Sequence, residues 1–250
     1  MKTKAILNIA FLIITIFVNY LSNTGFFNGE TMGSVSGQYE NYFTPAGYAF
    51  SIWGLIYLAL AGFVVYQARE KNYETTAEVG WWFIVSCIAN CLWVVSWLYE
   101  YTGLSLIIMT VILFSLLKIV INTRMELYSP GTKKIIFVWW PFCLYAGWIT
   151  VAYIANTAAY LTKIGWDGFG LSEVAWTIIV IGVAGIINLL VVWKRNMREF
   201  ALVGVWGLTA VAVANWTQEQ TISYAALLMA FLIFISVAIH GYRNRHSFLK

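Results

Sequence analysis

Eight long apolar runs divide the chain, and short polar segments separate them. A run of about 20 mostly apolar residues is long enough to cross the hydrocarbon layer of a bilayer as a helix. Because most connections are short, successive helices are expected to be antiparallel neighbours in one bundle. The pattern predicts an all-α polytopic membrane bundle with eight transmembrane helices, near 5–21, 45–67, 80–99, 104–122, 135–157, 173–193, 200–216 and 221–241.

The first apolar run has a second interpretation, because Met1-Lys2-Thr3-Lys4 before it also resembles the start of a signal peptide. No A-x-A-like cleavage site follows the run, since residues 18–24 read VNYLSNT. We therefore predict that the segment is kept as the first helix. Cleavage remains the alternative, and it would leave seven spans.

Two connections are longer than the others. Residues 22–44 are rich in Gly, Ser and Asn and contain Glu30 and Glu40, and the second long connection covers 158–172. Loops of more than about 12–15 residues without secondary structure are usually lids, binding loops or disordered segments. We expect residues 22–44 to be a mobile lid.

The distribution of charge predicts the orientation. Hydrophobic residues make up 61% of the chain and charged residues 10%, and mean hydropathy is +0.75. All Lys and Arg except Lys163 fall at the ends that would face the cytoplasm if the N-terminus is inside. The positive-inside rule then predicts a multi-pass cell-membrane protein with both termini cytoplasmic. The net charge of +4 thus reflects contact with the lipid bilayer and predicts no nucleic-acid partner.

The spans lack the residues of common catalytic and ion-coupled sites. All eleven Asp and Glu lie in loops or at helix ends, whereas buried ionisable groups mark most proton and ion pathways. Cys87, Cys91 and Cys143 lie far from His240 and His246, so we predict no metal site. No catalytic residue and no required cofactor are predicted, which favours binding or transport over turnover.

Aromatic and amide side chains form the remaining polar pattern. Helical spacing places Trp53 and Tyr57 on one face of the second span, and Asn90, Trp93 and Trp97 on one face of the third. The fifth span adds Trp148, Ala152 and Asn156. Most of these residues fall in the outer half of the bilayer, where a shared aromatic cavity would suit a flat, largely apolar ligand. The alternative is that they only pack and hydrogen-bond between helices.

Three spaced motifs resemble those of the translocator protein family, also called TspO, peripheral benzodiazepine receptor or tryptophan-rich sensory proteins. They are met by Pro45, Trp53 and Tyr57, by Asn90 and Trp93, and by Trp148, Ala152 and Asn156. The resemblance covers about residues 5–157. The chain departs from the family pattern at Thr44, where a second proline is usual, and at Trp97-Leu98, where a Phe pair is usual.

The resemblance implies a five-helix bundle that binds tetrapyrroles such as protoporphyrin IX or haem, or other small apolar molecules, under its first loop. It leaves a homodimer open. We therefore expect a ligand-binding bundle at 1–157 and a three-helix extension of the same bundle at 158–250. Three functions remain in competition: a ligand-binding sensor or carrier, an uncoupled transporter of an amphipathic metabolite, and a membrane enzyme that degrades a bound porphyrin.

Overall fold

The computed structural model describes residues 2–69, 73–128 and 130–244 of the chain. The charged residues Glu70, Lys71, Arg245 and Lys250, together with His246, lie outside this part. Within it the protein is helical and contains no strand. The helices are α1 (Lys2–Leu21), α2 (Met32–Gln38), α3 (Gly47–Gln67), α4 (Tyr73–Val79), α5 (Trp82–Leu98), α6 (Thr102–Asn122), α7 (Thr132–Lys163), α8 (Glu173–Arg195), α9 (Arg198–Ala214) and α10 (Gln220–Arg243).

Each of the eight predicted apolar segments coincides with a long helix, so the all-helical prediction is confirmed. Six of these helices are long and apolar enough to cross a membrane. The other two, α5 and α9, have 17 residues each, which is the lower end of the length that spans a bilayer. The number of spans and the side on which the termini lie therefore remain predictions.

The loop at 22–44 differs from the expectation because it contains the helix α2. The side chain of Thr31 accepts a hydrogen bond from the backbone N–H of Ser34, and the Ser34 side chain accepts one from the Thr31 N–H. This reciprocal cap satisfies backbone donors that would otherwise lack partners at the start of a short helix. The segment is thus locally ordered rather than structureless.

The buried face of α1 is polar. Asn8 donates to the Gln67 side chain at 2.8 Å, and Asn19 donates to the Asn90 side-chain oxygen at 2.7 Å. The opposite face of α1 exposes large apolar side chains such as Ile13. Polar side chains between helices are a common means of helix association inside membranes, where apolar contact alone does not distinguish protein from lipid.

The helix α7 connects the first helices to the last three. It packs on α3 and α6 and also on α9. A Cβ at Gly147 would lie 2.8 Å from the carbonyl oxygen of Phe200, and one at Gly207 would lie 2.7 Å from the Val151 side chain. Glycine is therefore needed where α7 and α9 approach each other, and the C-terminal helices belong to the same packed bundle.

Contacts between loops define the two ends of the bundle. One end holds residues 22–46, 99–101, 163–173 and 215–219, and we call it the lid end. There, Asn28 donates to the carbonyl of Leu98 at 3.2 Å, and Asn215 donates to the carbonyl of Tyr42 at 2.9 Å. The opposite end holds the ion pair of Lys134 with Glu78, at 2.7 Å.

Candidate ligand-binding site

A small cavity lies beneath α2, between α3, α5 and α7. Its walls are mostly aromatic and small apolar side chains, and no charged side chain of the described residues lines it. The lining residues are Met32, Ser36, Thr44, Pro45, Phe50, Trp53, Trp93, Trp97, Trp148, Val151, Ala152, Ala155, Asn156 and Ala159.

Trp53 is the centre of the aromatic lining. Its ring centroid lies 6.4 Å from that of Trp93 and 6.4 Å from that of Trp148, and the Trp148 ring is inclined to it by 85°. Phe50 contacts Trp148 edge to face, with centroids 6.0 Å apart. Because the Trp148 ring is nearly perpendicular to the Trp53 ring, the aromatic walls meet at an angle instead of forming one flat stack.

The polar groups of this site include the Asn156 amide and the indole N–H groups of Trp93 and Trp148. The Asn156 side-chain oxygen accepts a hydrogen bond from the Trp93 indole at 3.2 Å, and its nitrogen donates to the Ser105 hydroxyl at 2.9 Å. Asn156 is therefore held by two neighbouring helices. Trp148 has only 1% of its surface exposed. Its indole N–H has no hydrogen-bond partner among the described residues. A buried donor without a partner costs free energy, which a ligand acceptor within hydrogen-bond distance would offset.

The structure brings seven of the nine sequence-predicted site residues to this cavity, namely Pro45, Trp53, Trp93, Trp97, Trp148, Ala152 and Asn156. Tyr57 and Asn90 are not among the lining residues. Tyr57 stacks on Trp53 with centroids 5.3 Å apart, so it supports the lining from behind. Asn90 hydrogen-bonds to Asn19 and to the Tyr145 hydroxyl, which is a contact between helices.

Sequence reasoning missed the contributions of α2 and part of those of α7. Met32 and Ser36 come from α2, in a loop with no periodic pattern that would have predicted their side chains. The α7 residues were detectable in principle. Ala155 and Ala159 follow Trp148 and Ala152 at helical spacing and complete one stripe of the same face.

Specific contacts hold the lid segment in place. The Tyr39 hydroxyl donates to a carboxylate oxygen of Glu100, and the Lys163 ammonium donates to the Glu100 carbonyl. The same ammonium lies 5.3 Å from the centre of the Tyr39 ring. The hydrogen bond to Glu100, with burial and the Glu100 charge, raises the pKa of Tyr39 to about 12. The phenol therefore stays protonated, and remains a donor, at physiological pH.

The cavity is narrow. Its volume is about 40 Å³, which is enough for only a few water molecules. Sites for drug-sized ligands have volumes of about 300–1,000 Å³. The lining must therefore separate before a flat polycyclic molecule can enter.

Metal-ligating side chains do not cluster in the described part of the chain, where no group of three or more His, Cys, Asp or Glu could hold an ion. Cys87, Cys91 and Cys143 are free thiols inside the bundle.

A comparison with protein families gives a match to the TSPO-like proteins that covers residues 5–239. The chain belongs to the TSPO-like family. The TSPO-like match extends beyond the motifs at 45–156 and includes α8, α9 and nearly all of α10. It agrees with the packing of these helices on α7. No significant match is found among curated proteins or among solved structures.

Proposed function

We propose that this TSPO-like protein is a membrane ligand-binding protein, acting as a sensor or carrier, with eight spans and both termini in the cytoplasm of a cell. Its ligand is a flat, largely apolar molecule that enters the aromatic cavity in the outer half of the bilayer. The observation that carries the proposal is the meeting of four indoles, from three different helices, under one ordered loop.

A tetrapyrrole such as protoporphyrin IX is the first ligand to test, because the family resemblance points to this class. Indole rings stack on flat π-systems and contribute about 0.5–1.5 kcal/mol each beyond the area they bury. The unpartnered N–H of Trp148 supplies one donor for an acceptor at the ligand edge. No metal or bound cofactor is needed for this function.

The small volume of the cavity requires that binding be coupled to movement of the lining. The helix α2 is the element with the least packing, because it contacts the bundle mainly through α5. Its side chains Met32 and Ser36 cover the cavity, so its displacement enlarges the space above Trp53. The energy of displacing this lid is subtracted from the affinity of any ligand.

Titration of the purified protein with protoporphyrin IX tests the proposal. A shift of the Soret band, together with quenching of tryptophan fluorescence, is expected on binding. Trp93→Leu and Trp148→Leu each remove a stacking face, so each should weaken binding several-fold, since about 1.4 kcal/mol corresponds to a factor of ten. Trp81→Leu is the matched control, because Trp81 is exposed at the opposite end of the bundle.

The outcomes separate the competing functions. Equal affinities in the wild type and both cavity variants would assign these tryptophans to packing alone. Conversion of the bound porphyrin to a product would indicate an enzyme, and ligand-dependent uptake into liposomes would indicate a transporter.

A further inference from the structure

The lid end of the bundle is strongly acidic. It holds a single basic side chain, Lys163. Its carboxylates are those of Glu30, Glu40, Glu100, Asp167, Glu173 and Glu219. Lys163 is already engaged, since its ammonium donates to the Glu100 carbonyl and lies over the Tyr39 ring. A ligand that approaches from this end therefore meets a field of negative sign.

Three of these carboxylates surround the lid. Glu30 precedes α2 and accepts hydrogen bonds from the side chains of Ser34 and Gln38. Glu40 follows α2 and lies 3.5 Å from the Gln218 amide. Glu100 accepts from the Tyr39 hydroxyl. We call Glu30, Glu40 and Glu100 the acidic rim, because each contacts the segment that covers the cavity or lies at one of its ends.

The cavity below the acidic rim has the composition of an aromatic cage. Its lining contains four indoles and one phenyl ring, and no charged side chain of the described residues. The rings of Trp53 and Trp148 both line it, and their planes are inclined to each other by 85°. The face of an aromatic ring carries negative potential and attracts cations, and indole does so most strongly.

Resting on the proposed function, we infer that this site selects flat aromatic cations, with a charged ring nitrogen, over neutral and carboxylate-bearing molecules of the same shape. The acidic rim attracts the cation, and the indole faces stabilise it in the cavity. A carboxylate meets repulsion at the rim and finds no cationic partner inside, so the aromatic cation should also bind more tightly than protoporphyrin IX, whose propionates are negatively charged. A three-ring cation also needs less widening of the narrow cavity than a tetrapyrrole does.

Three probes with one tricyclic frame test the inference on the full chain in an uncharged detergent: N-methylacridinium, methylanthracene and anthracene carboxylate. Quenching of tryptophan fluorescence reports binding of each. N-methylacridinium should bind at least about tenfold more tightly than methylanthracene, and anthracene carboxylate should bind most weakly. The advantage of the cation should decrease as salt is raised, because salt screens the exposed carboxylates.

Charge-neutral variants locate the effect. Glu30→Gln and Glu40→Gln should each lower the affinity for N-methylacridinium several-fold and leave that for methylanthracene unchanged. Glu173→Gln is the matched control, because Glu173 lies at the lid end but outside the acidic rim, at the start of α8, which packs mainly on α9 and α10. An equal loss in all three variants would overturn the assignment to the acidic rim.

The results distinguish this inference from the proposed function. If methylanthracene or anthracene carboxylate binds as tightly as N-methylacridinium, the cation preference is wrong and the aromatic ligand site stands. If none of the three probes and no porphyrin binds, the proposed function itself is wrong.

Discussion

Glu126, in the turn between α6 and α7, is a carboxyl group held in an unfavourable environment. Burial, followed by the nearby Glu199 charge, raises its pKa from 4.5 to about 7, although Arg198 and a hydrogen bond from Asn196 act in the opposite direction. Between these two values the folded protein binds more protons than the unfolded chain. Stability should therefore fall as pH rises from about 4.5 to 7.

The substitution Glu126→Gln removes this titration. We expect a melting temperature higher by on the order of 2–4 °C at pH 8 and a smaller pH dependence below neutrality. Glu74→Gln, at an exposed site on the same end of the bundle, is the control and should change neither. An unaltered pH profile in Glu126→Gln would show that another group titrates in this range.

Tyr39 is a second residue with a testable role, because its hydroxyl ties the lid segment to Glu100. Tyr39→Phe removes its hydrogen bond to the Glu100 carboxylate while preserving the ring under Lys163. A hydrogen bond to a charged group contributes about 1.5–3 kcal/mol. Because the contact is partly exposed, we expect release of protoporphyrin IX, followed by stopped flow, to accelerate only several-fold.

The control for Tyr39→Phe is Tyr101→Phe. This substitution also removes a phenol hydroxyl, but from an exposed ring at the lid end. Its release rate should match that of the wild type. Identical rates in all three proteins would mean that the contact with Glu100 does not retain the ligand.

The limits of sequence reasoning are also visible at the scale of residues. Trp53, Trp93 and Trp148 could be assigned to one cavity because helical spacing fixes the face on which each side chain lies. The same spacing placed Asn90 with Trp93, but residues three apart are offset by about 60° around a helix. This offset leaves the Asn90 amide facing α1, where it accepts from Asn19. Partners on another helix, such as Asn19, are not visible in the pattern of a single segment.

At the scale of elements, the long helices were predictable because an apolar run of bilayer length has one dominant interpretation. The helix α2 was not, since its seven residues lack apolar periodicity and depend on the cap made by Thr31 and Ser34. The polar face of α1 was also missed. The role of its Asn residues is visible only from their hydrogen bonds to Gln67 and Asn90 on other helices.

The polar face of α1 leads to a prediction about stability. Asn19→Ala leaves the Asn90 side-chain oxygen without its donor, so the free energy of unfolding in mixed micelles should fall by about 0.6–1.7 kcal/mol. Ile13→Ala is the matched control, because this side chain is 61% exposed on the other face of α1. A loss as large in Ile13→Ala would indicate that shortening any side chain of α1 lowers stability, and that the hydrogen bond to Asn90 is not the cause.

At the scale of the whole molecule, the charge distribution predicts which end faces the cytoplasm. Cysteines introduced into a cysteine-free background at the exposed sites Gln38 and Thr217, at the lid end, should react with an impermeant reagent on intact cells. Those at Ala68 and Thr132, exposed at the opposite end, should react only after lysis. Labelling of Thr132→Cys but not of Thr217→Cys on intact cells would reverse the orientation.

Because α7 packs closely on α9, the α7 wall of the cavity can move less than the wall formed by α2. Val151 lines the cavity and at the same time abuts Gly207, and one turn earlier the Gly147 backbone meets that of Phe200. A helix packed this tightly from behind has no room to recede when the cavity is filled. We therefore expect the cavity to enlarge by movement of α2. An occupied protein would then differ from an empty one chiefly in the surface that it presents beyond the membrane.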